Sequence, residues 1–236
     1  MTDRENSMAA FAAARELGLD HVETDAHATR DGVAVALHDT HLDRTTDGRG
    51  AVAELTWAQV ADARIGGTEP VPRLEDLLGE WPDLAVNIDV KSPAAVGPTA
   101  AAIERTRAHD RVLVTSFSTE RRRRTVAALS RPVSTSAGRS EIVAFLAAAR
   151  LPAPAARAAG RRALHDVDCL QVPERAGLPV VTRRTIALAH AVGRQVHVWT
   201  VDQVADMHRL LDLGVDGLVT NRADLLREVL MTRGSW

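Results

Sequence analysis

The pattern of apolar positions along the chain predicts a helix first and a strand second. Apolar residues follow helical spacing over residues 8–17, Asn6 or Ser7 can cap that segment, and Gly18 ends it. Over residues 21–29 the period changes to two, which indicates a strand. The chain therefore opens on a helix that leads into a strand.

Beyond this point, short apolar runs alternate with helical segments. A second short run covers residues 33–38, helices are predicted from Trp57 and Leu74, and a strand is predicted at 84–91. Five more strands are predicted, each followed by a helix: 111–117 with a helix from Thr119, 132–136 with one from Ser140, 167–172 with one from about Thr185, 195–201 with one from Asp202, and 215–220 with one from Asp224.

Repeated strand–helix units without a long linker favour a parallel barrel or a doubly wound sheet. About 250 residues is the usual size of a barrel domain, and the chain has 236. When the run at 33–38 is left out as a loop excursion, seven strands are counted from His21 onward, so an eight-stranded barrel would need one more strand before Asn6. We therefore predict an α/β fold of the TIM (β/α)8-barrel type that lacks its first strand, in a single domain of residues 1–236 truncated at its N-terminus.

Composition narrows the classes of partner. The formal net charge is −2 with both signs interspersed, which predicts no nucleic-acid partner, and the run at 121–124 is interpreted as the solvated face of a helix start. No run reaches the roughly 20 apolar residues of a membrane span. Residues 1–7 carry no signal-type segment, so we expect a cytoplasmic protein, with secretion left open because Met1 is doubtful as the natural start. The single cysteine, Cys169, predicts no internal disulfide, and the oligomeric state stays open.

The first predicted strand carries the first candidate chemistry. With a period of two, Glu23, Asp25 and His27 project from one face. Two carboxylates on one face repel each other unless a cation lies between them, which predicts a hard metal ion such as Mg²⁺ or Ca²⁺. The alternative is a solvated strand face, where acidic side chains are common.

A second polar row lies on the strand at 84–91, where Asn87, Asp89 and Lys91 alternate with β-branched residues. A polar row on a covered parallel strand needs partners, and a metal ion with a negatively charged substrate would supply them. Lys91 is the only lysine among 29 basic residues. This exception implies a position that needs a compact ammonium group in place of a planar guanidinium.

Several motifs in order resemble the glycerophosphodiester phosphodiesterase family: Glu5-Asn6, VETDAHATRDGVAVALHD, LDRTTDG, PRLE from Pro72, NIDVK, VWTVD and GVDGLVTNRAD. The resemblance implies a TIM barrel that binds a divalent metal and hydrolyses glycerophosphodiesters, a small-molecule substrate, to glycerol 3-phosphate and an alcohol.

The resemblance also assigns residues. It implies Glu23 and Asp25 as metal ligands, His38 as one of two catalytic histidines and Lys91 as a cation on the phosphate. Trp199 would form a wall of the substrate pocket, and Glu5 and Asn6 match a Pro-Glu-Asn segment near the site. Without the resemblance, His38 is equally well interpreted as a hydrogen-bonded structural histidine, and His197 as a pocket or a core residue.

Two departures from the family pattern matter. The His-Arg-Gly motif of the family's first strand, which brings the second catalytic histidine and a phosphate-binding arginine, would precede Arg4, where this sequence has only Met-Thr-Asp. Asp89, one methylene shorter, stands where the family has a glutamate as third metal ligand.

Three functions remain open: an impaired metal-dependent phosphodiesterase, an inactive relative that binds phosphodiesters, and a lyase acting on lysophospholipid headgroups.

Overall fold

Parallel strands joined by helices make up both parts of the chain. The structure is a computed structural model that describes residues 4–236. It separates into a first unit that ends at Ser134 and a second unit that begins at Thr135. Each unit has its own buried core, so the two are described in turn.

The first unit alternates strands and helices after an opening helix. Its elements are α1 (Met8–Glu16), β1 (His21–Ala28), β2 (Ala34–Ala36), α2 (Trp57–Ala61), β3 (Arg64–Ile65), β4 (Glu69–Pro70), α3 (Leu74–Glu80), β5 (Ala85–Val90), α4 (Val96–Thr106), β6 (Val112–Thr115) and α5 (Thr119–Ala127). The short strand β7 (Ser134–Thr135) lies at the junction of the two units.

Three parallel strands form the centre of the first unit. β5 pairs with β1 on one side and with β6 on the other, and β2 adds to the far edge of β1 in antiparallel orientation. The apolar faces of these strands pack under helices α3 and α4, with Ile88, Val90 and Leu77 fully buried. A second apolar cluster around Leu37, Val60 and Ile65 supports the loops that follow β2. The opposite face of these strands therefore carries the polar side chains, which are the candidates for a functional site.

The second unit follows the same order. Its elements are α6 (Arg139–Ala148), α7 (Ala153–Ala163), β8 (Cys169–Pro173), β9 (Arg175–Ala176), β10 (Leu178–Pro179), α8 (Arg183–Ala191), β11 (Gln195–Trp199), α9 (Val204–Leu213), β12 (Gly217–Leu218) and α10 (Ala223–Thr232). β11 lies between β8 and β12 in parallel register, and β9 and β10 form a separate hairpin.

The predicted elements are largely confirmed. α1 begins after Ser7, whose side chain accepts a hydrogen bond from the backbone N–H of Ala10, and α2 begins after Thr56 as its capping residue. Helix α7 is missed by the sequence prediction, because its alanines, arginines and prolines give no clear apolar stripe. No helix in residues 4–236 is long and apolar enough to cross a bilayer.

β1 and β12 each pair with a parallel neighbour on one edge. Among residues 4–134, the edge of β1 away from β5 pairs with β2, which covers Ala26 to Ala28. Within the second unit, β12 pairs with β11 and with no other strand. The sequence prediction of a missing strand concerns the segment before Arg4, and residues 1–3 lie outside the described part of the chain.

Candidate active site

Strand register brings the predicted acidic residues together. Asp25 on β1 is the parallel partner of Asp89 on β5, and Asp89 is in turn the partner of Thr115 on β6. Neighbouring strands lie about 4.8 Å apart and partners share a face, so these side chains form one polar layer. One step earlier along the strands, Glu23 is the partner of Asn87. The two rows predicted separately from the sequence therefore form one surface.

Lys91 lies directly after β5 and binds both aspartates. Its Nζ is 2.7 Å from Oδ1 of Asp25 and 2.7 Å from Oδ2 of Asp89. Burial opposes the charge of the ammonium group, but the two carboxylates outweigh burial and raise the pKa of Lys91. The ammonium group also lies 5.7 Å from the ring centre of Phe117, within the range of a cation–π contact. A single lysine thus balances part of the negative charge of the layer.

The state of Glu23 shows that Lys91 does not neutralise all of the negative charge in this layer. Burial raises the pKa of its carboxyl to about 8, and the negative charges of Asp25 and Asp89 add to the effect. In the described residues, Oδ1 of Asp89 is buried without a hydrogen-bond partner. Both features indicate more negative charge and more oxygen acceptors than Lys91 satisfies.

These donors fit a hard divalent cation in chemistry and charge. Carboxylate oxygens are the ligands that Mg²⁺ and Ca²⁺ prefer, and a cation would stabilise the ionised form of Glu23 and use the free oxygen of Asp89. In the described arrangement of residues 4–236, no three His, Cys, Asp or Glu side chains are grouped so that they could hold a metal ion. Lys91 lies between two of the three predicted ligands, so a metal ion would need its ammonium group to move.

Asn6 ties the start of α1 to the acidic layer. Its Nδ2 donates to Oδ2 of Asp25 at 3.0 Å, and its Oδ1 accepts from Oγ1 of Thr24 at 2.7 Å and from the backbone N–H of Asp25 at 3.2 Å. Asn6 has a φ of 58°, in the left-handed region that asparagine tolerates better than most residues. Asn6 is buried, and its hydrogen bonds hold Asp25 in position.

His38 follows β2 next to the same aspartate. The backbone N–H of Leu37 donates to the carbonyl oxygen of Asp25 at 3.1 Å, which brings the end of this segment to β1. Nδ1 of His38 is 2.7 Å from Oδ1 of Asp39, and the imidazole is mostly exposed. A carboxylate on Nδ1 favours the tautomer with its proton on that atom, which leaves Nε2 free for proton transfer.

A guanidinium group fixes Asp39 in turn. Arg44 donates from Nε to Oδ2 of Asp39 at 2.6 Å and from Nη2 to Oδ1 at 3.0 Å, and Nη2 also contacts Oε1 of Glu5. Hydrogen bonds from Arg44 and His38 hold the pKa of Asp39 below its usual range. Asp39, Arg44 and Glu5 therefore form one cluster of ion pairs next to His38.

Two further histidines flank His38. His27 is buried on β1 and its Nε2 lies 3.2 Å from the carbonyl oxygen of His38. Burial lowers the pKa of His27, which favours a neutral imidazole that supports the backbone at His38. His41 is exposed in the following loop.

The predicted residues of the second unit lie on β11. Trp199 is partly buried at the carboxyl end of this strand, in register with Pro173. His197 pairs in register with Gln171 and Gly217, and its Nδ1 is 3.4 Å from Nε2 of Gln171. The pocket role of Trp199 stays a prediction.

The interpretation of the arginine run at 121–124 as a solvated face is wrong for half of the run. Arg122 is 1% exposed, and Arg121 is partly buried with its Nε donating to Oγ of Ser116 at 2.7 Å. Only Arg123 and Arg124 are exposed. The sequence does contain one signal of this position. Ser118, a capping serine, directly follows an apolar strand and lies three residues before Arg121, which places the start of the Arg121 side chain near the end of the strand.

Comparison with known proteins gives the family. The model of the glycerophosphoryl diester phosphodiesterase family matches residues 1–225. A protein of Mycobacterium tuberculosis named "Probable glycerophosphodiester phosphodiesterase 2" is 50% identical over 232 residues, which cover 98% of this chain and 87% of that protein.

Solved structures agree in fold. A Silicibacter pomeroyi protein described as a glycerophosphoryl diester phosphodiesterase has a TM-score of 0.78 at 25% identity, covering 99% of this chain and 90% of that chain. An Oleispira antarctica phosphodiesterase, solved with the product sn-glycerol-3-phosphate, has a TM-score of 0.79 at 18% identity, covering 97% of this chain and 92% of that chain. The predicted α/β fold of the TIM-barrel type is thereby confirmed. The chain belongs to the glycerophosphoryl diester phosphodiesterase family, whose members are phosphoric diester hydrolases.

Proposed function

We propose that this chain hydrolyses glycerophosphodiesters to glycerol 3-phosphate and an alcohol with the help of a divalent metal ion. The observation that carries the proposal is the acidic layer of buried Asp25 and Asp89 with half-buried Glu23, with Lys91 beside it and His38 at its edge. The product bound to the Oleispira antarctica phosphodiesterase supports this choice of substrate class.

Glu23, Asp25 and Asp89 would hold the metal ion. When bound, such an ion supplies positive charge that stabilises the phosphoryl oxygens as negative charge develops on them. Asn6 keeps Asp25 in position through two hydrogen bonds to Asp25 and a third to Thr24. The shorter side chain of Asp89 predicts Ca²⁺ or Mg²⁺ binding partly through water.

Among this chain's own residues, His38 and Lys91 would act directly in the reaction. Nε2 of His38 is free to exchange a proton with the attacking water or with the leaving alcohol, because Asp39 occupies Nδ1. Lys91 can turn its ammonium group from the two aspartates to a phosphoryl oxygen, where it offsets negative charge.

We further propose that residues 1–236 catalyse this hydrolysis slowly. His38 supplies one proton-transfer group, and the neighbouring His27 is buried with its Nε2 on the carbonyl oxygen of His38, so it is not placed to serve as a second one. The loss of one general acid or base costs roughly 10²–10⁴ in rate. The inactive relative and the lyase predict different outcomes, because the first releases no product and the second releases a cyclic phosphate in place of glycerol 3-phosphate.

The test measures release of glycerol 3-phosphate from glycerophosphocholine with Mg²⁺ or Ca²⁺. We expect a slow, metal-dependent release that His38→Gln reduces further, while His41→Gln, on the exposed loop nearby, leaves it unchanged. Equal rates for wild type and His38→Gln would remove His38 from the mechanism. No product above background would favour the inactive relative.

A separate measurement tests the metal site without activity. A cation that binds only the folded chain raises the melting temperature with concentration. We expect this shift in wild type and in the control Glu54→Gln, whose side chain is exposed, and its loss in Glu23→Gln. An equal shift in Glu23→Gln would exclude the proposed ligand set.

A further inference from the structure

Arg121 places a second positive charge close to the acidic layer. It lies in the first turn of α5, and its Nε donates to Oγ of Ser116 at 2.7 Å. Ser116 in turn donates from Oγ to the carbonyl oxygen of Val90 at 2.8 Å, directly before Lys91. These two hydrogen bonds hold the guanidinium group at the carboxyl ends of β5 and β6.

The guanidinium group is partly removed from water without a carboxylate in contact. Within residues 4–236 its two Nη groups form neither a hydrogen bond nor an ion pair. Burial lowers the pKa of Arg121, while the charge of Asp89 acts in the opposite direction, so the two groups sense each other. A buried arginine is usually paired with an acid, because its desolvation is costly otherwise. An anion from outside the chain would complete this partnership.

The charges of the site point to the same conclusion. Three carboxylates and the ammonium group of Lys91 leave two negative charges when all are ionised, and a divalent cation only cancels them. A neutral site gives a phosphodiester anion little net attraction. The guanidinium group of Arg121 makes the local charge positive, and its planar pair of Nη donors suits two phosphoryl oxygens.

We propose that Arg121 binds the non-bridging phosphoryl oxygens of the substrate and product, as a second cation beside Lys91. The inference rests on the proposed function, since it assigns a further binding residue to the same site. Arg121 contacts the anion through its Nη groups while Nε stays on Ser116. Its main contribution is affinity for the phosphoryl group, and proton transfer remains with His38.

Binding of sn-glycerol 3-phosphate and of inorganic phosphate tests the proposal directly. Isothermal titration calorimetry of the Mg²⁺-loaded protein should show that Arg121→Gln weakens both ligands about 10- to 100-fold, the usual loss for a charge-assisted contact. Arg121→Lys should give an intermediate affinity, because it keeps the charge and loses the fork. Arg124→Gln is the matched control, since it removes the same charge from an exposed position of the same helix.

Each outcome of these titrations either supports or contradicts the role of Arg121. An affinity of Arg121→Gln within twofold of wild type, or an equal loss in Arg124→Gln, would overturn the proposal. If Arg121→Gln does not fold, Arg121→Lys decides, because unchanged affinity in that variant contradicts a role for the guanidinium fork. Wild-type protein that binds glycerol 3-phosphate through Arg121 but releases none from glycerophosphocholine would refute the proposed hydrolysis and leave this inference intact. Wild type that binds neither ligand would overturn the inference.

Discussion

The Nζ atom of Lys91 lies 2.7 Å from Oδ1 of Asp25, a residue on the neighbouring parallel strand. The same ammonium group contacts Asp89, so the only lysine of the chain joins the two rows of acidic side chains. A compact cation with three donors suits this position, whereas a planar guanidinium would have to fit between two strands.

Lys91→Arg is therefore expected to weaken phosphate binding. The larger group cannot occupy the same space between Asp25 and Asp89 and turn to a phosphoryl oxygen in the same way. Calorimetric titration with inorganic phosphate should show the loss, with the melting temperature as the check on folding. Wild-type affinity in this variant would argue against a specific role for the ammonium group.

Asn6→Ala is expected to destabilise the fold and weaken metal binding together. The change removes three hydrogen bonds around Asp25 and puts alanine at a positive φ. Each lost buried bond costs about 1–3 kcal/mol when a partner is left unsatisfied, and the losses are not strictly additive. Urea unfolding measures the first effect and metal titration the second. Ser130→Ala, a change on the exposed side of the same unit, is expected to leave metal affinity unchanged.

The raised pKa of Glu23 predicts that the stability of the metal-free protein depends on pH. The pKa of its carboxyl is about 8 in the folded chain against a reference value of 4.5, so the folded form retains a proton that the unfolded form releases. Its contribution to stability is complete below pH 4.5 and is lost as pH rises through about 8. Melting temperatures measured in EDTA should show this decline in wild type and a smaller one in Glu23→Gln. Identical profiles would contradict the unbalanced charge of the layer.

Two glycines predict opposite changes in stability. A Cβ at Gly48 would lie 2.8 Å from Cβ of Ala63 and 3.0 Å from Cδ1 of Leu42, so Gly48→Ala should cost about 1–3 kcal/mol. Gly79 is exposed in α3 with nothing within 4 Å of its added Cβ, so Gly79→Ala should stabilise by about 0.5–1 kcal/mol. Paired urea titrations give both values, and a stable Gly48→Ala variant would show that this loop adapts freely.

Cys169 is expected to be inert in the folded chain. It is 1% exposed, and burial raises the pKa of its thiol to about 12, with the charges of Asp168 and Asp216 adding to the shift. At pH 8 a disulfide reagent such as DTNB should react only after unfolding in guanidinium chloride. Because the folded pKa lies above the reference value of 9.0, its contribution to stability is lost as pH rises from about 9 to 12. Rapid reaction of native protein would mean that β8 opens readily.

The sequence by itself determined the order of elements and the faces of the strands. A period of two places Glu23 and Asp25 on one face, and apolar runs with clear caps give the start of α1, α2 and α5. These features depend on residues near each other in the chain, so local sequence contains them. The identity of Lys91 as an exception also needs only the composition.

Tertiary structure alone decided which of these residues meet. The register between β1 and β5 places Asp25 beside Asp89 across 63 intervening positions, and no local pattern specifies that pairing. The contact of Asn6 with Asp25 depends on how α1 packs against β1, and the partial burial of Arg121 depends on its contact with Ser116, directly after β6. The sequence alone does not distinguish a charged side chain that is solvated from one that is buried. Their burial, partners and pKa values arise only when distant strands come together.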